Sequence, residues 1–129
     1  MLELPAKVEA FAELSAFLEG HLEGVEAGKR NALLIAAEEI FVNIAHYAYG
    51  NGAGMAVCRM ERREGEVVLE FSDSGIAFDP LARAAPDTSL SAEERVPGGL
   101  GIFMVKKMTD GQEYARRDGR NVLRLRKSV

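Results

Sequence analysis

Between Ala32 and Tyr49 the chain is apolar almost throughout, interrupted among non-aromatic residues only by Glu38, Glu39, Asn43 and His46. At roughly 100° per residue, Glu39, Asn43 and His46 fall within about 60° of one another on a helix, while Glu38 lies about 100° from Glu39. The pattern therefore predicts a mostly buried helix carrying one polar stripe. Upstream, "LEL" reads as a short strand. Val8, Phe11, Leu14, Phe17 and Leu18 then recur at helical spacing, which predicts a helix opened by Pro5 and running to about Leu22, with "EGVEAGKRN" as the turn into the next helix. "GNGAG" stops that second helix with residues that tolerate positive φ. "MAVCRMERR" and "EVVLEFSD" form a hairpin about Glu64 and Gly65. From Asp73 to Gly101 the chain turns loop-like, with Pro80, Pro86 and Pro97, and a loop of that length is expected to be a lid or a binding loop. A helix "LGIFMVKKM" follows, then strands "QEYARR" and "NVLRLRK" joined at Asp118 and Gly119. The order βααββ, loop, αββ predicts an α/β two-layer sandwich, its mixed, mainly antiparallel sheet covered by helices on one face.

Composition narrows the class without changing this picture. A chain of 129 residues, 47% hydrophobic and 28% charged, suits one soluble domain, residues 1–129, with a real core. Two glutamates, an Asn and a His near the centre of the long apolar run make it a core helix rather than a membrane span. The acidic start, with no basic stretch leading into a long apolar run, is not a secretory signal, so a cytoplasmic protein is expected. The lone Cys58 excludes an internal disulfide and a cysteine metal cluster, and reads as a small core residue on a strand. A net charge of −4 argues against direct nucleic-acid binding. Six basic residues against two acidic ones nevertheless make the stretch from Gly111 onward about +4. A solvated edge strand blunted by Lys and Arg is the leading reading of that stretch, and a docking surface for an acidic partner the other.

Three short elements carry chemistry. On the polar stripe, the carboxamide of Asn43 is a neutral oxygen ligand of the kind Mg²⁺ accepts, and Glu39 one turn away is placed to take a proton from an attacking hydroxyl or to hold a metal-bound water. Buried Asn and Glu serve equally well as structural hydrogen-bonding groups, and His46 reads as structural. In "VVLEFSDSGIAFDP" an apolar strand ends on Asp73, whose carboxylate suits an exocyclic amine such as that of adenine, and Gly75 lets a flat ring approach the backbone; an ordinary Asp-x-Gly turn is the alternative. In "VPGGLGIFMVKKM" Gly98, Gly99 and Gly101 precede or open a helix whose free amides favour anions. No Gly-Lys-Ser/Thr follows, as a phosphate-binding Walker loop requires, and Met104 stands where a dinucleotide fingerprint has its last glycine.

In this order the three elements resemble the GHKL ATP-binding superfamily of gyrase, heat-shock chaperone, histidine kinase and mismatch-repair ATPases. Within it the chain is similar to the short anti-sigma-factor serine/threonine protein kinases, from "LPAKVEAFAEL" through "EEIFVNIAHYAY", "DSGIAFDP" and "GGLGIFMVKKMTD" to "YARRDGRNVLRLRK". The resemblance implies ATP and Mg²⁺ as cofactors, Asn43 as the Mg²⁺ ligand and Glu39 as the catalytic carboxylate. It further implies Asp73 as the reader of adenine, with Gly75, Ala77, Gly98, Gly99, Leu100 and Gly101 lining the nucleotide pocket. The implied substrate is a serine of a small anti-anti-sigma (STAS-type) protein, the implied second client a sigma factor regulated by partner switching, and the implied assembly admits a homodimer. The alternative is a nucleotide-gated protein-binding module with little or no kinase activity. A detached histidine-kinase catalytic domain is disfavoured, because the first strand and helix look integral to the fold, and a whole sensor kinase is not expected, because no phosphoacceptor-histidine helix or second domain precedes the pocket. Two departures stand out: Ala77 occupies the place of a second glycine, and His46 lies one position earlier than the usual His before the Ala/Gly-Tyr pair. The lid "LARAAPDTSLSAEERVPGG" is expected to close over phosphates, with Arg95 or Lys106 nearby, although both read equally as solvated charges.

Overall fold

The computed structural model describes residues 1–50, 52–82 and 99–129. Strand β1 (Leu2–Pro5) leads through a 3-10 turn at Val8–Ala10 into α1 (Phe11–His21), then α2 (Ala27–Tyr47), β2 (Met55–Arg63) and β3 (Glu66–Asp73). A 3-10 turn at Pro80–Ala82, α3 (Gly99–Met108), β4 (Gly111–Arg117) and β5 (Arg120–Ser128) complete the order. It is the succession of strands and helices expected from the hydrophobic pattern. The sheet runs β1-β2-β3-β5-β4, every pairing antiparallel, so β3 is central and β1 and β4 are edges.

Two boundaries differ from the expected ones. Pro5 does not open α1; it is the last residue of β1, opposite Met55, and Lys7 is still extended. On an edge strand a proline forfeits no obligatory ladder bond, so pairing with β2 holds this segment as strand and the helix waits until Phe11. The turn into α2 is also shorter than "EGVEAGKRN". Glu26 caps the helix by accepting from the Gly28 N–H at 3.1 Å, and Ala27 to Asn31 already belong to it. Both hairpins turn where expected: Gly65 has φ 74°, and Asp118 and Gly119 have φ 51° and 75°, the pair of left-handed residues that a tight hairpin turn requires.

All three helices lie on one face of the sheet. Alternation along the strands aims Leu4, Cys58, Val67, Leu69, Phe71 and Leu125 at them, where they meet Leu14 and Leu18 of α1, Ile40 and Phe41 of α2, and Val105 of α3. The long apolar run is thus a core helix. Among the described residues no helix is long and apolar enough to cross a membrane.

The basic stretch is not chiefly an edge strand, which corrects the leading expectation. Arg116 and Arg117 lie on the edge strand β4, but Arg120, Arg124, Arg126 and Lys127 belong to β5, which is paired on both sides. Arg124 alternates with the core residues Leu123 and Leu125, so it faces away from the helices, where it meets Glu70 at 2.9 Å and lies across from Glu113. The charge marks the solvated face of an interior strand, where acidic neighbours answer it.

Cys58 lies in the core on β2, as expected, and burial pushes its thiol up to about 12. Because the folded state holds the neutral thiol, this group's contribution to stability is whole below the unfolded thiol's pKa of about 8.5 and is lost as pH rises from there through about 12. Native protein at pH 8 should resist a thiol reagent that labels the urea-unfolded chain at once; rapid labelling of the folded protein would contradict the burial.

Candidate functional site

The site is built where central β3 ends and the chain doubles back against the C-terminal end of α2. Asp73, the last residue of β3, is only 4% exposed, and its cross-strand partner on β5 is Asn121, 7% exposed. One oxygen of Asp73, Oδ1, accepts from the Gly75 N–H at 2.9 Å and from the Asn121 amide at 3.0 Å. The same amide donates to the Ile76 carbonyl at 2.7 Å, while Asn121 Oδ1 accepts from the Phe78 N–H at 3.1 Å and from the Tyr114 hydroxyl. Asn121 therefore uses both donors and both lone pairs of its carboxamide. Among the described residues, Asp73 Oδ2 receives no hydrogen bond.

The turn after Asp73 is held from α2. Ile76 N–H donates to the Ala48 carbonyl at 2.8 Å, and a Cβ on Gly75 would stand 2.1 Å from that carbonyl oxygen. The glycine is required because helix backbone passes over it. Tyr49 extends the join: its hydroxyl accepts from the Ser74 N–H at 2.9 Å and donates to the Met55 carbonyl, and its ring lies where a Cβ on Gly54 would be. Arg116 of β4 adds a donor to the Gly75 carbonyl at 2.8 Å.

Beside this turn opens a shallow cleft, partly exposed to solvent, lined by Asn43, Tyr47, Phe71, Asp73, Ile76 and Tyr114 among others. Its walls are mostly apolar with a few convergent polar groups, the usual character of a small-molecule site. Ile76, 64% exposed, and Tyr47, 36% exposed, offer apolar surface at its mouth. One turn before Asn43, the half-buried Glu39 reaches α3: a Cβ on Gly101 would stand 2.3 Å from Glu39 Oε2. Its carboxylate lies against the first turn of α3, where the helix dipole favours negative charge. The cleft can thus take a flat, amine-bearing ring at Asp73, and Asn43 and Glu39 lead from it along α2 toward the amino end of α3.

Of the residues singled out in the sequence, Asn43 and Asp73 line one cleft, Gly75 packs under the Ala48 carbonyl beside it, and Gly101 stands against Glu39 where α3 meets α2. Ala77 is exposed on the turn, Gly99 is the first residue of α3, and Leu100 follows it. Gly98 and Arg95, with most of the expected lid, lie outside the described residues. Lys106 donates to the Leu81 carbonyl at 3.1 Å, tying α3 to the Pro80–Ala82 turn. His46 is exposed, off the half-buried part of its stripe. The sequence reading missed Asn121, Tyr114 and Tyr49. Asn121 was within reach of it, because it shares a face with Leu123 and Leu125 by strand alternation and so puts a polar group on a buried face.

Comparison with known proteins decides the family. Residues 4–127 match the family described as Histidine kinase-like ATPase domain. The chain belongs to that family. Over 99 residues it is 34% identical to the serine/threonine-protein kinase BtrW of Bordetella bronchiseptica, an alignment that takes in 74% of this chain and 68% of BtrW. The solved structure of the Acinetobacter baumannii histidine kinase AdeS superposes with a TM-score of 0.56 at 13% identity, covering 99% of this chain and 68% of that one, a likeness of fold alone. As a histidine kinase-like ATPase domain, the chain carries the ATP-binding fold that its motifs implied, and the cleft at Asp73 is the candidate seat for nucleotide.

The two glycine contacts should respond differently to a methyl group. Gly75→Ala drives Cβ into helix backbone, so a loss of about 1–3 kcal/mol in urea unfolding is expected, together with loss of ligand binding in the cleft. Gly101→Ala meets only the movable end of Glu39 and should unfold nearly as the parent does. Equal stability of the two variants would show that the Ala48 contact is not fixed.

Proposed function

We propose that this kinase-family chain is an ATP-dependent serine protein kinase of the anti-sigma type. Its substrate is a serine on a small anti-anti-sigma (STAS-type) protein, and phosphorylation controls whether a sigma factor is held or released. The observation that carries the reading is the placement of Glu39 and Asn43 on successive turns of α2, with Asn43 in the Asp73 cleft and Glu39 against α3. Similarity to BtrW, named as a serine/threonine-protein kinase, supports the choice of hydroxyl acceptor.

In this reading Asp73 accepts a hydrogen bond from the adenine amine, and the apolar walls of the cleft sandwich the ring. The amino end of α3 faces the phosphates, where its free N–H groups complement their charge. The serine oxygen of the partner forms a bond to the γ-phosphorus as the bond from that phosphorus to the β–γ bridging oxygen breaks. ADP leaves, and the hydroxyl proton passes to the Glu39 carboxylate. Positioning and electrostatics supply most of the rate in such transfers.

The donor set suits Mg²⁺. Asn43 offers one neutral oxygen, and among the described residues no group of three His, Cys, Asp or Glu is gathered to hold an ion alone. A cation that draws most of its shell from phosphate and water fits such a site. Bound there, Mg²⁺ supplies neutralisation of the phosphate charge. Asn43→Ala should accordingly weaken Mg-ATP in calorimetry far more than metal-free ADP, and equal weakening of the two would remove the metal role.

Transfer itself is tested by single-turnover assay with labelled ATP and a serine-bearing STAS partner. Glu39→Gln should still bind Mg-ATP and the partner, yet transfer phosphate about 10²- to 10⁴-fold more slowly. A fully active Glu39→Gln protein would sink the base assignment. Binding of nucleotide and partner by the parent protein without any phosphoserine would point instead to a nucleotide-gated binding module.

A further inference from the structure

A carboxylate is an ambiguous reader of a nucleobase. Its two oxygens exchange roles by rotation about the last side-chain bond, and each can accept from more than one donor. At Asp73 that freedom is removed. Oδ1 is engaged by two donors from different elements, the Gly75 backbone at 2.9 Å and the Asn121 side chain at 3.0 Å, which together fix the plane of the group. Oδ2, on a side chain that lines the cleft and is nineteen-twentieths buried or more, has no donor among the described residues.

The orientation of Asn121 is itself determined. Its oxygen faces two donors, the Phe78 N–H and the Tyr114 hydroxyl, and its nitrogen faces two acceptors, Asp73 and the Ile76 carbonyl. A flipped amide would set its nitrogen against the Phe78 N–H and its oxygen against a carboxylate and a carbonyl, leaving buried groups unpaired. Asn121 also grips the two residues, Ile76 and Phe78, whose side chains wall the cleft just past Asp73. At 7% exposure it is not itself offered to a ligand.

We propose that Asn121 is the positioning residue for nucleobase selection: by engaging Oδ1 of Asp73 and clamping the Ile76–Phe78 turn, it leaves Oδ2 aimed at one amine and so sets the preference for a 6-amino over a 6-oxo purine. This rests on the reading of the cleft as the adenine seat. A 6-oxo purine brings a carbonyl oxygen to the place where Oδ2 needs a donor, and a fixed carboxylate cannot turn away to relieve the conflict.

The test measures Mg-ATP and Mg-inosine triphosphate, which differ at position 6 of the ring, by calorimetry on the full chain. The parent should prefer ATP. Asn121→Asp keeps the shape and the acceptor facing Phe78 and Tyr114 but puts an oxygen against Asp73, and the ATP-to-inosine-triphosphate affinity ratio should fall by roughly tenfold. Tyr114→Phe removes one of the two donors that orient the amide, keeps the ring in the cleft wall, and should lower the same ratio a few-fold. A merely structural role would weaken both nucleotides together and leave the ratio unchanged; that result overturns the inference. If Asn121→Asp does not fold, the Tyr114→Phe ratio decides alone. A parent that binds both nucleotides equally overturns the inference while sparing the nucleotide reading, whereas a parent that binds neither removes that reading itself.

Discussion

A carboxylate taken out of water needs hydrogen-bond donors in return, and Asp73, at 4% exposure, imposes that need on everything around it. The nearest donors are a backbone N–H two residues on and an amide across the strand pair, and neither is free to be anywhere else. To bring the Gly75 N–H back to its own aspartate the chain must turn tightly as it leaves β3. The turn runs into the end of α2, where only a residue without a side chain fits beneath the Ala48 carbonyl. To bring an amide alongside, β5 rather than β4 must neighbour β3, with Asn121 in register with Asp73. Sheet order, strand register, the glycine and the placing of α2 all meet at this one group.

The same logic explains which parts of the molecule were legible in the sequence. Periodicity marked every helix and strand, because each buries one face against the other layer and so must repeat with the period of its own backbone. The two boundaries that slipped did so for different reasons. Ala27 to Asn31 are helical behind a local cap, the Glu26 side chain on the Gly28 N–H, which the polar, glycine-bearing composition of the segment masked. Pro5 is a strand residue because Met55, distant in the chain, lies opposite it, which no local window shows. The basic strand was misplaced at the edge for a similar reason: alternating Arg and Leu describes an open face equally well on an edge or an interior strand, and only pairing tells them apart.

At the site, the residues read from the sequence were those whose type alone is odd in its surroundings: polar groups on an apolar helix, an aspartate closing an apolar strand, glycines opening a helix. Glu39, Asn43, Asp73, Gly75 and Gly101 are all of this kind, and the fold brings Asn43 and Asp73 into one cleft, Gly75 beneath Ala48 and Gly101 against Glu39. Tyr114 and Tyr49 are ordinary residues for a strand and a helix end. Their importance lies in where one hydroxyl comes to rest, which sequence spacing does not encode. Gly75 was singled out for a different reason from the one the structure gives, since its missing side chain makes room for Ala48.

The tail of α2 has a consequence for how chain length can vary. Ala48, the cap of the helix that carries Glu39 and Asn43, reaches the turn after β3 with its carbonyl, so these three are fixed relative to one another by the rotation of a single rigid rod, and Tyr49 follows just beyond it. One residue inserted or removed between Asn43 and Ala48 would swing the tail by about 100° against the polar stripe and shift it by about 1.5 Å. No neighbouring loop can absorb that change, because the contact on the far side is backbone against backbone. The turns at Glu64–Gly65 and Asp118–Gly119 lie at exposed hairpin ends, where added residues disturb at most the bond from the Val129 N–H to the Gly65 carbonyl. Length variation across relatives should therefore collect at the hairpin tips and be absent from the last two turns of α2, a pattern dictated by rotation rather than by chemistry.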